Sequence, residues 1–211
     1  MPGVWRRLFS FLYIDGASCS AGTLWWGNEK KQGINKKSPT KGAINIKTKK
    51  TAVTTGGASG IGKAAALRLA ADGVLISLVD LNAERLSTEA EEIRLAGGEV
   101  LVFHEDITNE QGMACVMQKT AEEAGSIDCV FANGGILGTV SPIEHFTKEN
   151  WAKTIENNVV GTFVAVKSDI PYMKERGESI VLTSSVSSSR QFAQEGFSAY
   201  STSKTALCRF F

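Results

Sequence analysis

Tyr200-Ser201-Thr202-Ser203-Lys204 places a phenol and an ammonium four residues apart, on one face of a helix. A free tyrosine ionises near pH ~10 and is a poor base at neutral pH. A neighbouring ammonium favours the phenolate and draws it toward a working range. Such a pair suits proton transfer to or from a hydroxyl or a carbonyl. A Tyr-x-x-x-Lys spacing also occurs by chance, and by itself it reads as a surface helix pair. Three other polar positions precede it: Asn133-Gly134-Gly135, Asn158 within Asn157-Asn158-Val159, and Ser184-Ser185. Each alone reads as a cap, a turn or a surface residue.

A second constellation lies upstream, in Thr55-Gly56-Gly57-Ala58-Ser59-Gly60-Ile61-Gly62. Glycines here open backbone angles closed to other residues and let a pyrophosphate approach the main chain. A helix beginning at the end of this loop offers free N–H groups and a partial positive charge to that anion. Asp80 follows Gly62 by 18 residues, close to the ~20 expected for a carboxylate on the adenosine ribose. Asp80 would accept from the ribose hydroxyls and repel a 2′-phosphate. Gly57-Ala58-Ser59 supplies no base to welcome that phosphate, so the pattern favours NAD over NADP. Gly57-x4-Gly62-Lys63 also matches the first part of a triphosphate-binding loop, but Ala64 stands where that loop needs a hydroxyl for magnesium. Lys63 then reads as a solvated residue in a first helical turn.

These residues need elements to hold them, and from residue 51 strands and helices alternate. Apolar runs at 51–54, 74–79, 100–103, 127–131 and 179–183 have strand length. Stretches 61–71, 83–96, 109–124 and 148–166 carry helical spacing, and a further helix starts near Ser198. Near-continuous apolar strands between helices imply a parallel sheet covered on both faces. The right-handed crossover rule makes it doubly wound, with ligands beyond the carboxyl ends of the strands. Both constellations fall at that edge.

The 211 residues carry 23 basic and 22 acidic side chains, 43% hydrophobic residues and a formal charge of +1. That composition excludes a wholly disordered chain, a collagen-like fibre and a disulfide-dense miniprotein. Residues 1–50 hold ten bases and two acids, and the remainder thirteen and twenty. The division expected is a basic, disordered extension over 1–48 and a nucleotide-binding domain over 49–211. The Leu8–Ile14 run, broken by Ser10, is too short to span a membrane. Interrupted as it is, it makes a poor secretory signal. Cytoplasmic residence is expected, with a mitochondrial-type leader as the alternative because acids are scarce. The basic arm could touch nucleic acid, but the acidic domain argues against it. Four cysteines show no CxxC pair, Cys129 reads as a buried thiol, and His104 reads as a strand-end residue. No metal site is expected.

Taken together and in this order, the motifs resemble the short-chain dehydrogenase/reductase family from about Lys50 to Lys204. The resemblance implies a Rossmann-type doubly wound sheet. Its glycine motif falls on Thr55–Gly62, so Gly56, Ser59, Gly60, Ile61 and Gly62 would hold the cofactor diphosphate, and Asp80 the ribose. Asp106-Ile107 matches the family's adenine-contacting pair, and its Asn-Asn-Ala-Gly segment falls on Ala132-Asn133-Gly134-Gly135 with two substitutions, so that Asn133 and Gly135 match. The implied catalytic set is Asn158, Ser185, Tyr200 and Lys204, with Tyr200 and Lys204 also against the nicotinamide ribose. Ser185 is chosen over Ser184 because a strand sends neighbours to opposite faces, with Ser187 as fallback. The interval from Ser185 to Tyr200 is 15 residues, about two longer than in many members. The reaction implied is NAD(H)-dependent oxidation of a secondary alcohol or reduction of its ketone. Members continue well past the position of Phe211, so the resemblance also implies C-terminal truncation. The fold would then lack two further strands, the substrate-covering segment and part of a homo-oligomer interface, and its sheet would have an uncovered edge. The alternative is an inactive dinucleotide-binding fragment or a non-catalytic binding protein.

Overall fold

The computed structural model describes residues 8–15 and 18–24 by their backbone, and residues 50–173, 178–189 and 195–210 with their side chains. The matched part of the chain builds β3 (Thr51–Thr55), β4 (Leu75–Asp80), β5 (Val100–His104), β6 (Cys129–Ala132) and β7 (Ser179–Thr183). All pair in parallel, in the order β7-β6-β3-β4-β5. The doubly wound α/β sheet read from the sequence is therefore the fold.

Alternation across the strands fills two separate cores. Ala52, Ile76 and Leu78 face Ala66 and Ala70 of α1 (Gly60–Ala71) and Leu86 and Ile93 of α2 (Ala83–Leu95). Their neighbours Val53, Val79 and Val130 face Met113, Val116 and Met117 of α3 (Glu110–Ala124). Ser77, the polar interruption of β4, is fully buried and shares a 2.8 Å hydrogen bond with Thr120 of α3. The central strands are buried on both faces, which is why their apolar runs are nearly unbroken.

The single helix expected over 148–166 is three pieces. α4 (Lys148–Ile155) runs into a π-helical turn at Glu156–Val160, and α5 (Gly161–Asp169) continues from it. α6 (Ser198–Leu207) packs on α4 and on the π turn. Such widened turns concentrate at functional sites, and this one contains Asn158.

The extension expected over 1–48 is the second difference. β1 (Leu8–Asp15) lies parallel to β7, with Leu8 opposite Ser179 and Leu12 opposite Thr183. β2 (Ser18–Leu24) returns antiparallel along β1, so the full sheet reads β2-β1-β7-β6-β3-β4-β5. The edge of β7 expected to be uncovered is covered by this hairpin. The physical reason is twofold. An open edge presents unpaired backbone groups, and Leu8–Asp15 is strand-length and rich in aromatic and β-branched types. The Gly-, Ser- and Lys-rich stretch 27–42 and Trp25-Trp26 lie outside the described residues.

Candidate active site

The chain leaves β3 toward β4 and β5 on one side, and returns to β6 and β7 on the other. The switch point between β3 and β6 is where such sheets open a ligand crevice. Two glycine segments meet there. Gly56 has φ +62, and a Cβ on it would lie 2.9 Å from Gly134 Cα. A Cβ on Gly62 would lie 2.1 Å from the Gly56 carbonyl oxygen. The loop thus folds backbone on backbone, and only glycine fits at those two points. Gly60 (φ +52) faces open space. Ser59, the exposed N-cap of α1, makes no side-chain cap bond, and Ile61 is 39% exposed. A glycine-lined approach to a helix N-terminus with an unused hydroxyl beside it fits a diphosphate.

Asp80 ends β4 against this loop. Its Oδ2 accepts from Ala58 N at 3.1 Å and its Oδ1 from Asn82 N at 3.0 Å. Both oxygens keep lone pairs for a ribose diol. The strand-end reading and the ribose reading are therefore compatible. Lys63 turns away from the loop and pairs with Glu89 at 2.6 Å and Glu92 at 2.8 Å, and its bonds to them raise its pKa. It serves the α1–α2 interface, where a solvated side chain was expected.

Across the switch point, Thr55 and Asn133 knit the strand ends. Thr55 Oγ1 accepts from Asn133 N at 3.1 Å and Gly134 N at 3.0 Å. Asn133 Nδ2 donates to Gly56 O at 3.3 Å, and Asn133 Oδ1 accepts from Thr183 Oγ1 at 3.0 Å. Ile107 is buried with its Cδ1 against Gly134 and Gly161. Asp106 spends Oδ1 on a local turn, accepting from Thr108 N and Oγ1 at 2.8 Å each.

The remaining residues converge behind Gly135. A Cβ there would sit 2.8 Å from Asn158 Oδ1 and 3.6 Å from Lys204 Nζ. Asn158 is fully buried and grips the Ile136 peptide from both sides, accepting from its N at 2.7 Å and donating to its O at 2.9 Å. Lys204 is 5% exposed, donates to Thr183 O at 2.8 Å, and stands 5.9 Å from the Tyr200 ring centroid. Burial pushes its pKa down to about 8. The pair is therefore not the surface pair that its spacing alone would suggest. Phe197 meets Tyr200 edge to face with ring centroids 6.4 Å apart.

The two serines after β7 go opposite ways. Ser184 is 2% exposed, and its hydroxyl donates to Lys204 O at 3.0 Å. Ser185 is half-buried on the other side, its Oγ accepting from Ser187 N at 3.2 Å. Next to these groups lies an open hollow of about 580 Å3, between Pro142–Glu144, Trp151, Ser187 and the outer face of α6. Its lining includes sequence neighbours of Ser185, Tyr200 and Lys204 but not those three residues themselves.

Thr183, Ile136 and Ser203 are the residues that motif reading missed. Thr183 directly precedes the serine pair, and Ser203 sits inside the Tyr-x-x-x-Lys spacing, so position alone could have flagged both. Two bland readings hold. Cys129 is half-buried against the core rather than fully enclosed, and its desolvation, with Asp169 and Asp128 nearby, pushes the thiol up to about 11. His104 ends β5 with its Nε2 2.9 Å from Leu81 O. No helix among the described residues is long and apolar enough to cross a membrane.

Residues 50–211 match the family model described as short chain dehydrogenase. A curated relative, levodione reductase of Leifsonia aquatica, is 35% identical over 166 residues, covering 77% of this chain and 62% of the relative. A 3-ketoacyl-ACP reductase from Sinorhizobium meliloti 1021 superposes with TM-score 0.72 at 36% identity, covering 76% of this chain and 63% of that one. An NAD+-bound xylitol dehydrogenase superposes with TM-score 0.72 at 30% identity, covering 78% and 63%. The chain thus spans a little under two thirds of the length of these relatives.

Proposed function

The chain belongs to the short-chain dehydrogenase family, and from that premise we propose that it is an NAD(H)-dependent oxidoreductase that interconverts a secondary alcohol and its ketone. The observation that carries the proposal is the buried ammonium of Lys204, 5.9 Å from the Tyr200 ring and beside Gly135 at the ligand edge of the sheet. Burying an unpaired cation is costly, and a structural role does not call for one there. Beside a phenol at a nucleotide crevice it has a use.

The glycine loop and the first turn of α1 would hold the diphosphate, and Asp80 the adenosine ribose. Ile107 would flank the adenine. The bound cofactor would supply the hydride acceptor or donor. Tyr200 would take the alcohol proton in oxidation and return it in reduction. Lys204 would stabilise the phenolate and bond the second ribose. Ser185 would orient the substrate oxygen by hydrogen bonding. Asn158 would hold the Gly135–Ile136 segment in place beside Lys204 and support the proton path to it.

What supports NAD over NADP is the carboxylate of Asp80, held beside the glycine loop by Ala58 N, which would repel a 2′-phosphate. Among the structural relatives, the xylitol dehydrogenase is NAD+-bound, and so is a Burkholderia phymatum family member at 28% identity and TM-score 0.71.

The test is the purified chain with NAD and a panel of secondary alcohols, beside Tyr200→Phe. The expected result is NAD binding by both and turnover lost by about a hundredfold or more in the variant. Tight NAD binding with no turnover of any alcohol or ketone by the unaltered chain would instead identify a dinucleotide-binding protein without catalysis.

A further inference from the structure

Ser203 is fully buried between α6 and the π turn. Its hydroxyl accepts from Asn158 Nδ2 at 2.9 Å and donates to the Tyr200 carbonyl at 2.7 Å. A helical serine that bonds back to its own helix is commonplace. Ser203 differs because it also receives a proton from another element. Asn158 has one acceptor oxygen and two amide protons. The oxygen and one proton hold the Ile136 peptide. The remaining proton goes to Ser203. A continuous chain of hydrogen bonds therefore runs from Ile136, through Asn158 and Ser203, to Tyr200.

That chain joins the loop after β6, the π turn and the first turn of α6. Lys204 follows Ser203 directly and reaches Thr183 O from the same turn. If the Ser203 hydroxyl were absent, one Asn158 proton would be buried without a partner, and the side-chain bond between Asn158 and α6 would be lost.

We propose that Ser203 is a positioning residue, which fixes the first turn of α6 against Asn158 and so sets where Tyr200 and Lys204 stand relative to Gly135. The proposal rests on the assignment of Tyr200 and Lys204 as the proton-transfer pair, but it can be read without turnover.

The experiment uses the full chain, Ser203→Ala, and Ser203→Thr, which keeps the hydroxyl. Three readouts are taken: NAD affinity, the pH profile of Lys204 acylation by mass spectrometry, and kcat and KM on a secondary alcohol. Ser203→Ala is expected to bind NAD within about threefold of the unaltered chain, and to lose about tenfold or more in kcat with a smaller change in KM. Its Lys204 reactivity midpoint should move up from about 8 toward 10.5, because a loosened turn readmits water. Ser203→Thr should restore both. A Ser203→Ala protein with an unchanged Lys204 profile, and kcat within about twofold, overturns the proposal. If no form turns over substrate while the Lys204 profile still responds, the positioning role stands and the enzymatic reading falls. Should Ser203→Ala not fold, the unaltered chain decides. Slow exchange of both Asn158 carboxamide protons in NMR supports the role, and fast exchange of either overturns it.

Discussion

Lys204 Nζ lies 2.8 Å from the Thr183 carbonyl oxygen, so a cation buried at the edge of the sheet is held by a strand end rather than by a carboxylate. A carbonyl offers only partial charge, and burial therefore dominates, lowering the Lys204 pKa from 10.5 to about 8. The sign follows. Below pH 8 both folded and unfolded states hold the proton, and the folded state bears the full desolvation cost. Between about 8 and 10.5 the folded state has released the proton that the unfolded state still keeps, so stability rises with pH. Lys204→Met keeps the stem without the charge. Its stability relative to the unaltered chain should be most favourable at pH 7 and fall by about 3 kcal/mol by pH 10.5. At neutral pH the gain is reduced by about 1 kcal/mol for the lost bond to Thr183. Urea unfolding of both proteins at several pH values measures this, and a gap independent of pH would contradict it. The same variant should lose turnover.

Asp80 is the lever for cofactor choice. Asp80→Asn preserves an acceptor for Ala58 N but removes the charge. NAD affinity should fall about tenfold and the preference over NADP should narrow by more, because the repulsion of a 2′-phosphate is gone. Fluorescence titration with NADH and NADPH reads both constants. If the unaltered chain binds NADPH better than NADH, the role given to Asp80 is wrong.

Two glycines of one loop should respond differently to the same added methyl. In Gly62→Ala the new Cβ meets the Gly56 carbonyl at 2.1 Å, and backbone must move. The expected cost is about 3 kcal/mol, with loss of NAD binding. In Gly60→Ala the Cβ enters open space, and only the left-handed φ of +52 is strained. That cost is about 1 kcal/mol. Denaturant unfolding and NAD titration of the two variants test the contrast.

The sheet was legible because β3 and β4 are buried on both faces, and a strand so placed must be apolar almost throughout. The close turn after β3 was legible because backbone meets backbone at Gly56 and Gly62, where only glycine fits, and the place of Asp80 because it closes a strand against that turn. The burial of Lys204 was not legible, since an i, i+4 spacing reads the same on a wet face and a dry one. Nor was the π turn, whose Asn158 is bonded to Ile136, a residue of another segment that no local spacing reveals. The β1–β2 hairpin was missed for a related reason. Its composition allows a strand, but only the open edge of β7 makes one form.

That hairpin has a consequence for how the chain behaves. Leu8–Leu12 pairs with Ser179–Thr183, and β7 is the strand whose last residues hold Lys204 and Asn133 through Thr183. Deleting residues 1–24 uncovers the outer edge of β7 and removes the ladder along it. Unpaired edges recruit other chains. The shortened protein should melt on the order of 5 °C lower, the shift expected for about 2 kcal/mol in a chain of this size, and should associate with rising concentration. NAD affinity should change less than stability, because the glycine loop follows β3, which β7 and β6 separate from β1. Calorimetry and sedimentation velocity across a concentration series measure the two effects. Unchanged melting with no association would mean that β7 does not depend on β1. A large loss of NAD affinity would instead mean that the hairpin reaches the crevice through Thr183 and Asn133.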